Sequence, residues 1–166
     1  MDGTDDFANC AGADDFNFRD SMTVAAWVKV RQFDKPGQAL IAKGNDTWRL
    51  ERHGDQGTLD FVLAGPQTTG DKKGKPPVVT SKRTVDDGAW HHVVGVYDGE
   101  RAVLYLDGEF DSQVAAAGEI AQNTESVWIG ENAGSRRRAF NGWFDDVRLY
   151  DRSLSADEIR ELYQSK

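Results

Sequence analysis

The sequence predicts an all-β protein, a two-sheet antiparallel sandwich of jelly-roll type with a short C-terminal helix. Three observations carry this. Short runs with period-two alternation follow one another between residues 22 and 150, and helical spacing is nearly absent among them. Clusters of Gly, Asp, Asn and Pro separate the runs, and all four prolines (Pro36, Pro66, Pro76, Pro77) fall between them, where a residue without an N–H interrupts no ladder. A convincing helical stripe emerges only after Leu154. Many strands, frequent turns and almost no helix mean a sandwich or jelly roll.

In residues 22–30, Met22, Val24, Ala26, Val28 and Val30 share one side. Residues 47–53 set Trp48 and Leu50 against Arg49 and Glu51, and residues 58–63 set Leu59, Phe61 and Leu63 against Asp60 and Val62. Further strands fit 90–97, 102–106, 126–129 and 143–150. Asp98-Gly99 and Asp107-Gly108 are turn dipeptides, so 90–107 reads as a hairpin. One alternation face of each strand builds the core. The other face is polar and available to a ligand, with Arg49 and Glu51 as candidate contacts. At the end, Ser155 and Glu158 have the spacing of a capping box, with Leu154 and Ile159 as its hydrophobic staple. Ile159, Leu162 and Tyr163 form the stripe that docks this helix on the sandwich.

The 166 residues suffice for one domain, 1–166, with a substantial core. No second domain and no fixed-period repeat is visible. A net charge of −8 argues against nucleic acid, whose binding needs a positive face. No apolar run reaches the roughly 20 residues of a membrane-spanning helix, so no membrane partner is expected. The first residues have neither a basic start nor an apolar stretch, and no signal peptide is expected in them. One cysteine, Cys10, permits no intrachain disulfide and reads as a buried free thiol.

The ordered motifs Gly88-Ala-Trp-His-His92, Ala102-Val-Leu-Tyr-Leu-Asp-Gly108, Val127-Trp-Ile-Gly130, Phe140-Asn-Gly-Trp-Phe-Asp145 and Leu154-Ser-Ala-Asp-Glu-Ile159 resemble the laminin G-like, concanavalin A-like jelly-roll family. The likeness is to the bacterial form attached to polysaccharide-degrading and surface proteins. Asp2-Gly-Thr-Asp-Asp6 is similar to that family's opening strand. The resemblance covers essentially the whole chain and implies a secreted or cell-surface carbohydrate-binding module that tethers a larger parent protein to polysaccharide. A protein–protein interaction or adhesion domain is the alternative, and a structural spacer with no ligand of its own is a third reading.

Several constellations bear on chemistry. Glucanases of this broad fold carry Glu-x-Asp-x-(x)-Glu on one strand. Here Glu109-Phe-Asp111 lacks the last glutamate, so no acid–base pair forms there and no enzyme is expected. His91 and His92 point to opposite faces of a strand and read as structural. Carboxylates crowd the N-terminus, and Asp145-Asp146 form a second cluster. Oxygen ligands of this kind suit calcium, and solvated acidic loops are the plainer reading. The resemblance implies a structural calcium with Asp2 and Asp145 as ligands and Asp5, Asp6 and Asp146 as helpers.

Trp27, Trp48 and Trp90 read as core. Trp128 and Trp143 are either core or exposed indoles that stack on a sugar. The basic residues cluster as Lys72, Lys73 and Lys75, and as Arg136, Arg137 and Arg138 before Trp143. Arginine pairs bidentately with carboxylate or sulfate, so the second cluster is either a site for an acidic or sulfated glycan or a solvated loop.

Overall fold

The computed structural model describes residues 1–69 and 73–166. Among them the strands are β1 (Ala8–Cys10), β2 (Met22–Val30), β3 (Ala39–Ala42), β4 (Trp48–Arg52), β5 (Leu59–Leu63), β6 (Gln67–Thr68), β7 (Val78–Thr80), β8 (Trp90–Tyr97), β9 (Arg101–Leu106), β10 (Glu109–Ala117), β11 (Val127–Ile129) and β12 (Gly142–Tyr150), followed by helix α1 (Ala156–Gln164). They form two antiparallel sheets. The first has the order β1-β11-β3-β4-β5-β7 and the second β12-β2-β8-β9-β10-β6. Strands remote in sequence lie side by side, β1 against β11 and β12 against β2, as a jelly roll requires. Asp2 bridges to Asn141, and the Gly142 N–H donates to the Met1 carbonyl at 3.1 Å, which fastens the first residues to the start of β12.

Alternation builds the core as expected. β2 turns Met22, Val24, Ala26, Val28 and Val30 inward, beside Val93 and Tyr97 of β8 and Ala102, Leu104 and Leu106 of β9. The first sheet faces them with Ile41, Trp48, Leu50, Leu59, Phe61 and Leu63. Full burial of such a side chain contributes roughly 1.5–3 kcal/mol. A Cβ at Gly95 would stand 2.8 Å from the Phe61 ring, so the sheets meet there too closely for any side chain. Asp107 (φ 55) and Gly108 (φ 76) both take the left-handed conformation that a two-residue hairpin between β9 and β10 demands.

The Ser155 hydroxyl accepts the Glu158 N–H at 3.2 Å and the Glu158 carboxylate accepts the Ser155 N–H at 2.8 Å, completing the capping box. Leu154 and Ile159 pack on Ala25, Val94, Val96 and Val103, on the outer face of the second sheet. Tyr163 stacks on Trp27 with ring centroids 5.4 Å apart. This helix therefore covers one outer face of the sandwich, from β9 as far as Trp27. No helix among the described residues is long and apolar enough to cross a membrane.

Two tryptophans are corrected. The inward positions of β2 are even-numbered, so Trp27 lies on the outer face, half-buried under Tyr163. Trp90 sits opposite Lys29 on that same outer face and is 41% exposed. Only Trp48 of the three lies in the core. Cys10, on edge strand β1, is half-buried rather than buried.

The two histidines take opposite sides. His91 Nδ1 lies 3.0 Å from Asp107 Oδ2 and Nε2 lies 3.0 Å from Asp87 Oδ1. His92 is buried beside Trp27 and Tyr163. Desolvation pulls His91 down, but its bonds to Asp107 and Asp87 outweigh this and the net shift is upward. Desolvation dominates at His92 and pushes its imidazole down to about 4. The folded state thus binds a proton at His92 more weakly than the unfolded chain does. Its contribution is whole above pH 6.5 and is lost as pH falls toward 4, a change of about 3 kcal/mol. His91 acts with the opposite sign, contributing fully below 6.5 and fading as pH rises through its raised value. Urea denaturation at a series of pH values should show stability falling across the His92 window, and His92→Leu should flatten that fall. An equally steep fall in the variant would contradict the assignment.

Candidate functional site

Among the described residues no α-helix covers the outer face of the first sheet. Cross-strand register lays its side chains in two rows. One runs Asn9, Trp128, Ala42, Arg49, Val62 and Val78 across β1, β11, β3, β4, β5 and β7. The other sets Glu51 beside Asp60 and Asp60 beside Thr80. Directly opposed carboxylates repel, so each needs its own cationic or hydrogen-bonding partner. Glu51 Oε1 accepts from Arg49 Nε at 2.9 Å and Oε2 from Arg138 Nη1 at 3.1 Å. Asp60 accepts from the Thr80 hydroxyl at 2.6 Å and lies 2.8 Å from His53 Nδ1.

At the β1 end of this face, Phe7 lies flat on Trp128, with centroids 4.1 Å apart and planes 3° apart. The Arg136 guanidinium is 5.2 Å from the Phe7 centroid and 5.0 Å from that of Trp128, beside the stack. A cleft of about 560 Å³ opens beside them, lined by Arg136, Arg137, Arg138, Glu51, Asp60 and Lys35 among others. Arg137 lines this cleft, and no acidic side chain pairs with its guanidinium among the described residues.

What fixes the arginines is a buried carboxylate that the sequence reading did not single out. Glu131 is 3% exposed and accepts N–H bonds from Asn132 (2.9 Å), Arg138 (3.1 Å) and Arg137 (3.2 Å). Asn132 closes the same loop, accepting from the Gly134 N–H at 2.9 Å and donating to Asn45 at 3.0 Å. Arg137 takes φ 77, an unfavourable conformation for a residue with a Cβ, which these bonds hold in place. The loop is tethered through its backbone, with Arg136 and Arg137 exposed. Phe7 was also missed. It precedes β1, and only the β1–β11 pairing brings it to Trp128.

The structure thus gathers Arg49, Glu51, Trp128, Arg136, Arg137 and Arg138 on one face. Trp143 is not among them. It lies on the outer face of the second sheet, opposite Lys29, because β12 pairs with β2 after the chain leaves the arginine loop. Lys73 and Lys75 are exposed, and Lys72 lies outside the described residues.

The expected calcium ligands also separate. The carboxylates of Asp2, Asp5 and Asp6 offer oxygens within 4.8 Å of one another, all on exposed residues. Beside them Asn141, backbone-bridged to Asp2, buries a side-chain oxygen that has no hydrogen-bond partner. This all-oxygen set fits a hard cation. Asp145 and Asp146 do not join it. Asp145 is paired with Lys166, and Asp146, turned to φ 48 at the irregularity in β12, makes two bonds to Arg148 at 2.8 and 2.9 Å. On the strand carrying Glu109 and Asp111, the Asp111 carboxylate is buried and accepts from the N–H groups of Lys82 (2.7 Å) and Arg83 (3.3 Å) and from Arg83 Nε (3.2 Å), so it serves the fold.

A family model described as the concanavalin A-like lectin/glucanases superfamily matches residues 2–160. Among solved structures, the binding domain of botulinum neurotoxin DC in complex with SialylT superposes with a TM-score of 0.69 at 14% identity, over 96% of this chain and 38% of that one. The binding domain of Paraclostridial Mosquitocidal Protein 1 gives 0.68 at 15%, over 96% and 41%. Domain 4 of AbnA, a GH43 extracellular arabinanase from Geobacillus stearothermophilus in complex with arabinotriose, gives 0.65 at 19%, over 88% and 68%. The chain spans about two fifths of the length of the two toxin binding domains. At these identities the likeness is one of fold.

Glu131→Ala should remove the acceptor of three N–H groups, that of Asn132 buried and those of Arg137 and Arg138 part-buried, and cost about 1–3 kcal/mol in denaturant unfolding. Amide exchange at residues 132, 137 and 138 should quicken in the same variant. Unchanged exchange there would show that the loop is held by something else.

Proposed function

The chain belongs to the concanavalin A-like lectin/glucanase superfamily, and we propose that it is a non-catalytic carbohydrate-binding domain of a secreted or cell-surface protein, with its ligand site on the outer face of the first sheet. The observation that carries this is the tethered arginine loop beside the Phe7–Trp128 stack. It combines an aromatic surface for a sugar ring with guanidinium groups for acidic substituents. Solved domains of the same fold hold arabinotriose and SialylT, which agrees with a sugar ligand. The Glu51 oxygens accept from two guanidiniums and Asp60 from Thr80, so these neighbouring carboxylates are occupied as acceptors. That arrangement suits holding the arginines better than donating a proton to a glycosidic oxygen.

The preferred ligand is a uronic-acid or sulfated glycan. The chain as a whole would repel it, but the local cations are fixed while the long-range field is screened beyond about 8 Å at physiological salt. Calcium, in this reading, is a structural brace held by Asp2, Asp5 and Asp6 with the Asn141 side-chain oxygen, and takes no part in chemistry.

Titration calorimetry with oligogalacturonate and heparin oligosaccharides should show binding that an Arg136→Ala, Arg137→Ala double variant weakens by roughly tenfold or more, one lost charge-assisted contact being worth about that much. Equal affinity of both proteins, or a preference for neutral glucans, would assign the ligand elsewhere. No reducing sugar should be released from either glycan.

The calcium brace is tested separately. The thermal midpoint of metal-free protein should rise with added calcium, since a ligand of the native state stabilises it by mass action, and Asp5→Asn, Asp6→Asn should abolish the rise. Coincident melts with and without calcium would remove the brace.

A further inference from the structure

Trp143, which the arginine site leaves out, belongs to a second constellation on the opposite side of the sandwich. On the outer face of the second sheet it stands directly across from Lys29, and Lys29 directly across from Trp90. The two indoles therefore flank one lysine at about two inter-strand spacings, roughly 10 Å. Each is 41% exposed, a large fraction for tryptophan. Helix α1 covers the neighbouring part of this face but stops where Tyr163 stacks on Trp27, which leaves the Trp90–Lys29–Trp143 row open.

The charges are equally specific. The Arg31 guanidinium lies 4.4 Å from the Trp143 ring centroid and Lys29 Nζ lies 5.8 Å from it. In a chain of net charge −8, neither cation has a carboxylate partner among the described residues. The nearby carboxylate, Asp145, is taken by Lys166. Between Trp27, Trp90, Asp145 and Lys166 a cleft of about 250 Å³ opens.

We propose that this row is a second glycan site, taking an extended acidic oligosaccharide whose sugar rings lie on Trp90 and Trp143 and whose carboxylate or sulfate groups meet Lys29 and Arg31. The ligand class rests on the carbohydrate reading above, while the site itself is separate from the arginine face. Lys29 between the indoles breaks the continuity that an apolar protein interface would need, and its charge matches an anionic chain. With one platform on each outer face, the domain would hold two polysaccharide strands at once. Linked sites of this kind raise overall avidity without any new contact.

Calorimetry with short oligogalacturonate and heparin oligosaccharides on four proteins decides it. These are the wild type, Trp90→Ala with Trp143→Ala, Lys29→Gln with Arg31→Gln as a charge-only version that leaves the indoles in place, and Arg136→Ala with Arg137→Ala. The wild type should bind two oligosaccharides per chain, and each variant should keep one site and lose roughly tenfold or more at the other. If both second-sheet variants keep two sites, the second site is overturned; if the wild type has one site that only the Arg136/Arg137 variant loses, the second site is overturned and the arginine face stands. If the Arg136/Arg137 variant is unchanged while both second-sheet variants lose all binding, this site stands and the arginine face falls. Absence of binding by the wild type overturns both.

Discussion

The dry layer between the two sheets is the constraint on which the other features rest. Its inner faces are close-packed around Trp48, Phe61, Leu104 and Tyr97, and at Gly95 the approach leaves no room for a methyl group. Once the even-numbered residues of β2 are committed to that layer, every odd one is sent outward, and a slip of one residue would reverse the whole set. The outward face of the second sheet is still partly apolar, at Ala25, Val94, Val96 and Val103, and α1 exists to cover it. The first sheet also has apolar residues on its outer side, Ala42, Val62 and Val78, but they alternate with a polar row. It carries Arg49, Glu51, Asp60 and Thr80 there, and hydrogen bonds among side chains take the place of a covering element.

Most of this was legible in the sequence, because period-two alternation and Asp-Gly turns are local signals. Strands β2, β4, β5, β8 and β9, the hairpin and the capped helix follow from them directly. Strand β3 was not visible. Ala39, Leu40, Ile41 and Ala42 are all buried, so no polar residue marks the alternation, and four residues carry no periodicity of their own. Trp27 was misplaced for a different reason. Its place in a core-building strand suggested the core, whereas its odd position in β2 sets it on the outer face, and position in the pleat outweighs hydrophobicity.

The candidate site divides along the same line. Arg49, Glu51, Trp128 and the arginine cluster were identifiable by chemistry, but their neighbours were decided by pairings between distant strands. Phe7 meets Trp128 through β1–β11, and Trp143 is carried away from the arginines through β12–β2. Glu131 was invisible because nothing local distinguishes a buried glutamate from a solvated one. It shows how an acidic chain uses its carboxylates. Several of them, including Glu51, Asp111 and Glu131, are buried and serve as acceptors that hold arginines or loop N–H groups in place.

The three N–H bonds to Glu131 bear on the thermodynamics of recognition. A surface loop that orders only on contact gives up conformational freedom during association, and that loss is subtracted from the affinity. Here residues 131–138 are already ordered by the fold, so the loss has occurred before any ligand arrives. A partner that fits meets a rigid template and associates without waiting for rearrangement, while one whose acidic groups are spaced differently finds a loop that does not adapt. The buried glutamate, which touches no ligand, thereby sets how selective the surface above it is.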